Sequence, residues 1–436
     1  MLGWSFVSAR QEARSGGHER QPEAPDIRSK NLARLADSIA VATAASIPWS
    51  TTLTSILVAA WFVTAGPAID RAEFRRQALS PAGGLPLALV AVAVLGMAWA
   101  DVGLFDRWLG FDGFLKLALV PYLLTHFRHS ERGTWVILAF LGTCTVLLLV
   151  SWGLALTPGL PWRGKVVGVP VKDYISQSGA FLLCALALLG YALNLWRSGR
   201  RQLAVVVTIL AGTFVANIAY VETSRTTLVV GAVLALLFGL WNFGWRGVLA
   251  TAVVAGLLGG VFWVSSPYLR ERVTQAIEEV RLYRTEHAAL SSGLRLEFWI
   301  RSIEAIAKSP VIGNGTGSIP EMLNATGAET DPSFDTVNPH NQIFVVGIQL
   351  GLLGTGVLVA MWMAHLALFR GEGLVNWIGQ VAVVQLICSS FFNSHLSDFT
   401  QGWTYVFAIG VLGGMALRQP APSPSASLAA VAVAGE

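Results

Sequence analysis

A single histidine lies where a long polar segment of this chain meets an apolar one. Residues 337–344 read VNPHNQIF, and the apolar stretch that follows contains GLLG at residues 351–354. Histidine has the ordinary pKa nearest to neutrality, so His340 at a membrane surface could exchange a proton at working pH. A lone interfacial histidine is more often satisfied by a backbone carbonyl group, so its role depends on its neighbours.

Two arginines are candidates to hold a negatively charged group near that histidine. Arg225 opens an apolar stretch after a short polar turn, where a guanidinium group and a helix N-terminus are both suited to phosphate. Arg295 lies in an amphipathic segment upstream of His340. Each has a simpler interpretation: Arg225 could lie at the interface or pair with Glu222, and Arg295 could face solvent. Placed together with His340, the two arginines would form a polyanion site beside a base.

The elements that must position these residues are membrane-spanning helices. The 436 residues are 54% hydrophobic and only 13% charged, which is more apolar surface than a soluble protein can bury. The alternation typical of a β-barrel is absent, so we expect an all-α integral membrane protein. Hydropathy predicts about twelve spans, near residues 36–49, 51–66, 84–101, 112–127, 133–156, 175–196, 202–221, 226–242, 247–265, 340–368, 374–393 and 399–417.

The charges of the connecting loops predict the orientation. With twelve spans, one face carries Arg71, Arg75, Arg76, Arg128, Arg132, Arg197, Arg200, Arg201, Arg246, Arg370 and Arg418, and the bias of basic loops makes that face cytosolic. Residues 1–35 are then a polar cytosolic leader, residues 36–265 form nine spans, and residues 340–417 form three more before a cytosolic tail at 418–436. Residues 266–339 become one long loop on the opposite face, which in an inner membrane is periplasmic.

That long loop is predicted to be partly helical. Apolar residues recur at helical spacing between about residues 268 and 309, which indicates two amphipathic helices over the membrane. Pro310 ends the second, and the glycine-rich residues 313–317 are interpreted as a plain loop because no strand precedes them. The loop then becomes acidic before His340.

Further residues of the outer face could contact a substrate. Residues 157–174 carry Arg163, Lys165 and Lys172, and cations in a short outer loop run against the usual bias. Tyr174 and Gln177 open the next span, and Asn341 follows the histidine. Three unclustered cysteines, Cys144, Cys184 and Cys388, are interpreted as apolar packing residues. No paired carboxylate motif for a divalent ion stands out, so we expect no metal and no other cofactor.

The spacing around His340 resembles that of a known family. His340-Asn341, nine residues, and then Gly351-Leu352-Leu353-Gly354 is similar to the His-[Asn/Ser/Gln]-x9-Gly-x-x-[Gly/Thr/Tyr] pattern of the O-antigen ligases. Arg225-Thr226-Thr227-Leu228 resembles the family's Arg-x3-Leu motif but is one residue short. Arg295 is similar to the family's second essential arginine, and residues 173–179 (DYISQSG) look like a segment of the wider ligase and polymerase superfamily.

The resemblance implies a GT-C-like glycosyltransferase of the bacterial inner membrane with its active site facing the periplasm. It would transfer O-antigen from undecaprenyl pyrophosphate to lipid A-core, with inversion and without a metal. His340 would be the general base, and Arg225 and Arg295 would bind the pyrophosphate, helped by Arg163, Lys165 or Lys172. The expected partners are this donor, this acceptor and membrane lipids, with no nucleic acid.

Other functions stay open at this point. An O-antigen polymerase or a protein O-oligosaccharyltransferase would use the same donor with another acceptor. A transporter would show charges near the middle of the membrane in related halves, whereas the charges considered above lie at one face. A structural scaffold leaves the basic outer loops unexplained.

Overall fold

A computed structural model describes residues 27–157, 159, 162, 166–221, 224–286, 291–325 and 338–418. Within these ranges the regular structure is entirely helical. The helices are α1 (Ile27–Ser46), α2 (Thr51–Ala65), α3 (Arg71–Ala78), α4 (Pro81–Gly96), α5 (Leu104–Leu115), α6 (Val120–His129), α7 (Gly133–Leu156), α8 (Tyr174–Arg197), α9 (Arg201–Tyr220), α10 (Arg225–Ser265), α11 (Pro267–Glu286), α12 (Ser291–Lys308), α13 (Ile319–Ala325), α14 (Gln342–Leu368), α15 (Leu374–Ser390), α16 (Phe399–Phe407) and α17 (Gly413–Arg418).

The all-α membrane architecture expected from composition is confirmed. Seven helices or continuous helix pairs of the described chain are long and apolar enough to cross a membrane, and α3 with α4, bent by 74°, would add an eighth. Each predicted span coincides with a helix or a helix series, and α10 covers two of them. Helix α15 is shorter than a span, and neither α1 nor the continuous series 399–418 is among the helices that are long and apolar enough. The number twelve therefore stays a prediction. Helix α1 begins at Ile27, within the predicted leader.

Helix α10 is two helices joined at a glycine. Gly244 has φ +64°, a value that costs a residue with a side chain free energy and that glycine adopts readily. The two halves meet where a Cβ on Gly239 would lie 2.4 Å from the carbonyl oxygen of Gly247. Only glycine permits this close approach, and it turns one 41-residue apolar run into the two spans that hydropathy predicts.

Helix α14, which follows His340, is also interrupted. Gly351 has φ +61°, and residues 310–315 insert into the interruption. The amides of Leu352 and Leu353 donate to the carbonyls of Pro310 and Val311, at 2.8 and 3.0 Å. The carbonyls of residues 348 and 349 accept in turn from the amides of residues 314 and 315, at 2.8 and 2.9 Å. Four backbone groups at the break thus find partners in the inserted segment, which offsets the loss of hydrogen bonds within the helix.

The two glycines of the pattern after His340 make room for the close contacts at this break in α14. A Cβ on Gly351 would lie 2.5 Å from the backbone of Val311, and one on Gly354 would lie 2.3 Å from the Cβ of Leu350. The glycine-rich loop at 313–317 is a plain loop, as predicted, and its amides at 314 and 315 are committed to α14. The spacing between His340 and the glycines therefore fixes where the outer loop anchors.

Helices α11 and α12 lie at the end of the bundle from which α14 begins. Ser266 starts this region, since its hydroxyl donates to the carbonyl of Ala219 at 2.9 Å and accepts from the amide of Leu269 at 3.1 Å. Helix α12 then packs on α14, with the rings of Trp299 and Phe344 6.0 Å apart. These helices occupy the positions of the two predicted amphipathic helices, and they carry charged residues over the start of α14.

Candidate active site

His340 occupies a constrained position just before α14. Its φ is +51°, which a residue with a side chain adopts only where the surroundings hold it. The amide of His340 donates to Oδ1 of Asn338 at 2.9 Å. One residue later, Oδ1 of Asn341 accepts from the amide of Ile343 at 2.9 Å and caps the helix. The half-buried imidazole ring lies almost parallel to that of Phe298, with centroids 6.3 Å apart and planes 24° apart.

The surroundings keep the imidazole of His340 unprotonated at neutral pH. Burial lowers its pKa below the ordinary 6.5, and the positive charge of Arg295 lowers it further, while a side-chain hydrogen bond with Asn393 opposes both. A neutral imidazole can accept a proton, so the environment gives His340 the protonation state that a general base needs.

Arg295 is close enough to Arg225 and to His340 for its charge to act on both. Burial lowers the pKa of its guanidinium group, and the charge of Arg225 contributes in the same direction, whereas Tyr174 and Glu279 oppose it. Since Arg295 also acts on His340, the structure brings the three residues expected to carry the chemistry, from three separate elements, to one site. Two cations with limited access to water favour a ligand with more than one negative charge.

Arg225 is held by a carboxylate. Its Nη1 donates to Oε2 of Glu279 at 2.7 Å, and its Nη2 donates to Oε1 at 3.0 Å. The sequence offered Glu222 as a partner, and that residue lies outside the described residues. The fork that was predicted to bind phosphate is thus oriented in the structure and makes the two parallel contacts that suit either a carboxylate or a phosphate.

Tyr174 borders the arginines from the start of α8. Its ring lies beneath the guanidinium group of Arg272, 5.3 Å from ring centroid to Cζ, a distance at which a cation is attracted to an aromatic face. Nε of Arg272 is buried and has no hydrogen-bond partner among the described residues. Asp173 caps α8 by accepting from the amide of Ser176 at 2.8 Å, which sets where Tyr174 begins the helix.

The segment between α15 and α16 forms another wall of the site. Nζ of the buried Lys116, which directly follows α5, donates to the carbonyls of Leu396, Ser397 and Asp398, each at 3.0 Å, and so fixes this segment from a distant part of the sequence. Burial lowers the pKa of His395 to about 4 despite the nearby Asp173, with Arg295 adding to the shift. Burial likewise raises the pKa of Asp398 to about 6, opposed by Lys116.

Lys172 and Gln177, two residues predicted to contact a substrate, make hydrogen bonds within the protein instead. Lys172 donates to the carbonyl of Ile47 and, at 2.9 Å, to Oγ1 of Thr400, and burial lowers its pKa to about 8. Gln177 is buried, and its Nε2 donates to Ser151 and to the carbonyl of Gly168, each at 3.1 Å. In the structure these two side chains support the bundle.

Asn341 supports the start of α14. Both ends of the Asn341 amide are engaged, since Nδ2 donates to the carbonyl of Phe391 at 3.2 Å; in the structure Asn341 is a helix cap. Arg163 and Lys165 lie outside the described residues.

Glu279, Arg272 and Asn393 are site residues that the sequence did not single out. Glu279 and Arg272 lie on the predicted amphipathic helices, where any one charge is more simply interpreted as solvent-facing. Asn393 is the last residue of the predicted span 374–393, and the span count puts that end on the same face as the start of the span at 340. This shared face was the one available signal. Topology can indicate a shared face, but it cannot indicate a contact.

A comparison with known families agrees with these elements. Residues 214–359 match the family described as Wzy_C: O-Antigen ligase. The matched region includes Arg225, Arg295, His340 and both glycines of the motif. No curated protein matches the chain. The match covers about a third of the chain, and over residues 214–359 the chain is similar to the O-antigen ligase family.

Proposed function

We propose that this protein is an O-antigen ligase that transfers O-antigen polysaccharide from undecaprenyl pyrophosphate to a sugar hydroxyl of lipid A-core. The observation that carries the proposal is the convergence of Arg225, Arg295 and an unprotonated His340 at one end of an apolar helical bundle. A lipid-linked donor needs an apolar environment for its chain and cations for its pyrophosphate. The family match supports a lipid-linked sugar donor and a lipid acceptor.

The arginines would act on the leaving group. Arg225 and Arg295 bind the pyrophosphate, and their contacts strengthen as the bond between the anomeric carbon and the phosphate oxygen breaks and negative charge develops there. In this role the two guanidinium groups replace a divalent metal, so the transfer is metal-independent. The double contact between Arg225 and Glu279 supports this step, because a phosphate can accept the same two hydrogen bonds.

His340 would act on the acceptor. Its neutral imidazole takes the proton of the acceptor hydroxyl while that oxygen forms its bond to the anomeric carbon, and undecaprenyl pyrophosphate departs from the opposite side. The reaction therefore inverts the anomeric configuration. Negative charge from a bound pyrophosphate offsets the effect of Arg295 and makes His340 a stronger base once the donor is present.

The proposed location follows from the charge bias of the loops. The face that carries His340 is opposite to the face with most basic loop residues, so in a bacterial inner membrane it faces the periplasm and both termini are cytosolic. Lipid-linked O-antigen and lipid A-core would meet there.

An in vitro transfer assay tests this proposal. It combines the purified protein with lipid-linked O-antigen and core lipopolysaccharide in the presence of a chelator. Wild type is expected to glycosylate the core, and His340→Ala is expected to lose about a hundredfold or more in kcat, the usual contribution of a general base. His129→Ala is the matched control, because His129 is exposed at the end of α6, and it should transfer normally. Full activity of His340→Ala would remove the assigned base.

Parallel acceptors distinguish the related activities. Extension of the lipid-linked glycan without transfer to core would identify a polymerase, and transfer to a pilin would identify a protein O-oligosaccharyltransferase. Absence of transfer to all three acceptors would refute the proposed function.

A further inference from the structure

Helices α8 and α10 begin side by side at the end of the bundle that carries the candidate site. The buried hydroxyl groups of Ser178 on α8 and Thr227 on α10 are hydrogen-bonded to each other at 2.9 Å. Ser178 lies one turn after Tyr174, the first residue of α8, and Thr227 lies in the first turn of α10, which begins at Arg225. Tyr174 and Arg225 therefore lie close together at the two helix starts.

Helix α11 lies across both of these helix starts. The guanidinium carbon of Arg272 is 5.3 Å from the centre of the Tyr174 ring. Further along the same helix, the carboxylate of Glu279 accepts two hydrogen bonds from Arg225, at 2.7 and 3.0 Å. Residues 272 and 279 are almost two turns apart, so their side chains leave the same face of α11, roughly 10 Å from each other along its axis. That face of α11 is directed at the site.

The burial pattern of α11 confirms which of its faces is turned inward. Leu269 is buried, residues 272, 273, 276 and 279 are partly buried, and the other residues between 269 and 279 are exposed. An amphipathic helix ordinarily turns its charged residues to water and its apolar residues inward. Arg272 is an exception to this pattern, and a guanidinium group turned inward needs an acceptor for its donors.

The described residues do not supply that acceptor to Nε of Arg272. This atom is buried and has no hydrogen-bond partner among them. Two carboxylates of α11 near Arg272 are engaged elsewhere, since Glu271 accepts from Gln275 at 2.9 Å and Glu279 accepts from Arg225. An aromatic face attracts a cation but gives an N–H group no lone pair in the plane of the guanidinium. A buried donor without an acceptor is destabilising, so this position suits an acceptor that a ligand provides.

From these contacts we propose that Arg272 is an additional substrate-binding residue: its guanidinium group, held over Tyr174, binds a phosphate or carboxylate group of one of the two glycolipid substrates. This inference rests on the proposed function. Nε–H and the adjacent Nη–H point in parallel, which matches the two oxygens of such a group. Either glycolipid can supply the anion, the donor through its pyrophosphate or an acidic sugar and the acceptor through an acidic group on its core sugars.

Equilibrium binding to the purified protein in detergent tests this role without requiring glycan transfer. Lipid-linked O-antigen and core lipopolysaccharide are titrated separately. We expect Arg272→Gln to raise the Kd of one of them about 10- to 100-fold, the loss expected when a hydrogen bond to a charged group is removed, and to leave the Kd of the other unchanged. Arg272→Lys keeps the charge without the paired donors, so it should recover only part of the affinity. An equal loss for both glycolipids would show general damage to the site and would overturn the proposal.

Arg270→Gln is the matched control. Arg270 lies on α11 two residues before Arg272 and is exposed, so its removal takes away the same charge from the other face of the helix and should leave both Kd values unchanged. Thermal unfolding in detergent establishes that each variant is folded. Tyr174→Leu provides a second variant that keeps Arg272 but removes the ring beneath it, and it should weaken binding of the same glycolipid about threefold to tenfold.

The outcomes separate this inference from the proposed function. If wild type binds neither glycolipid, both fail. If wild type binds both and transfers glycan, but folded Arg272→Gln keeps the wild-type Kd values, the role of Arg272 is refuted and the proposed function stands. A selective loss of donor binding identifies the donor as the source of the anion, and a selective loss of core binding identifies the acceptor.

Discussion

Replacing Glu279 by glutamine should make the protein bind its donor more tightly. In the structure the carboxylate of Glu279 occupies both terminal nitrogens of Arg225, at 2.7 and 3.0 Å. A donor pyrophosphate that uses the same fork must first displace this carboxylate. Glutamine keeps one acceptor oxygen but places an NH2 group against the other guanidinium nitrogen, so the internal competitor is weakened.

The geometry sets the size of the effect. Both side chains are less than one third exposed, at 26% for Arg225 and 18% for Glu279, so solvent screens the pair only in part. A hydrogen bond to a charged group contributes about 1.5–3 kcal/mol, and Glu279→Gln removes one of two. Taking the lower end of that range, and about 1.4 kcal/mol for each factor of ten, we expect donor KM to fall about tenfold. The expected kcat is unchanged, because under the proposed function a bound pyrophosphate would hold Arg225 in both proteins during transfer.

Initial rates at varied donor and saturating acceptor measure this directly. Glu278→Gln is the control, since Glu278 is the adjacent residue of α11, is exposed, and lies 3.7 Å from Arg281. That variant should match wild type. A donor KM that is unchanged or higher in Glu279→Gln would show that Glu279 positions Arg225 for the donor and does not compete with it.

Two further predictions follow from the site and from the break in α14. Because the pKa of His340 is below its ordinary 6.5, kcat/KM should stay high at neutral pH and fall as pH drops through that lowered pKa. Arg295→Gln removes one cause of the lowering, so its acidic limb should lie at higher pH, and an unmoved limb would show that Arg295 does not act on the base. Gly351→Ala places a side chain at φ +61° and ψ −157° and 2.5 Å from the backbone of Val311, which costs about 1–3 kcal/mol for the backbone alone and more for the contact. Its thermal midpoint in detergent should fall by several degrees, whereas Gly356→Ala, with no atom within 4 Å, should not change it; equal midpoints would refute the anchoring role.

The contacts that sequence reasoning missed are all long-range. Lys116 reaches a segment about 280 residues away, and the amide of Asn341 reaches the carbonyl of Phe391 across α14 and α15. Hydropathy predicted α14 as one continuous span, because the apolar residues on both sides of Gly351 have the same composition. The interruption depends on residues 310–315 entering it, and a pattern read along one helix does not contain that information.

The sequence by itself determined that the protein lies in a membrane, that it is helical, and which residues are candidates for the site. Apolar composition requires a membrane, a membrane requires satisfied backbone groups, and helices satisfy them locally, so these conclusions need only neighbouring residues. His340, Arg225 and Arg295 were recognisable because residue type and motif spacing are also local. Only the tertiary structure decided that Glu279 holds Arg225, that Phe298 lies against the ring of His340, and that Lys116 fixes the segment between α15 and α16. Such contacts depend on how distant helices pack, and packing is a property of the whole chain.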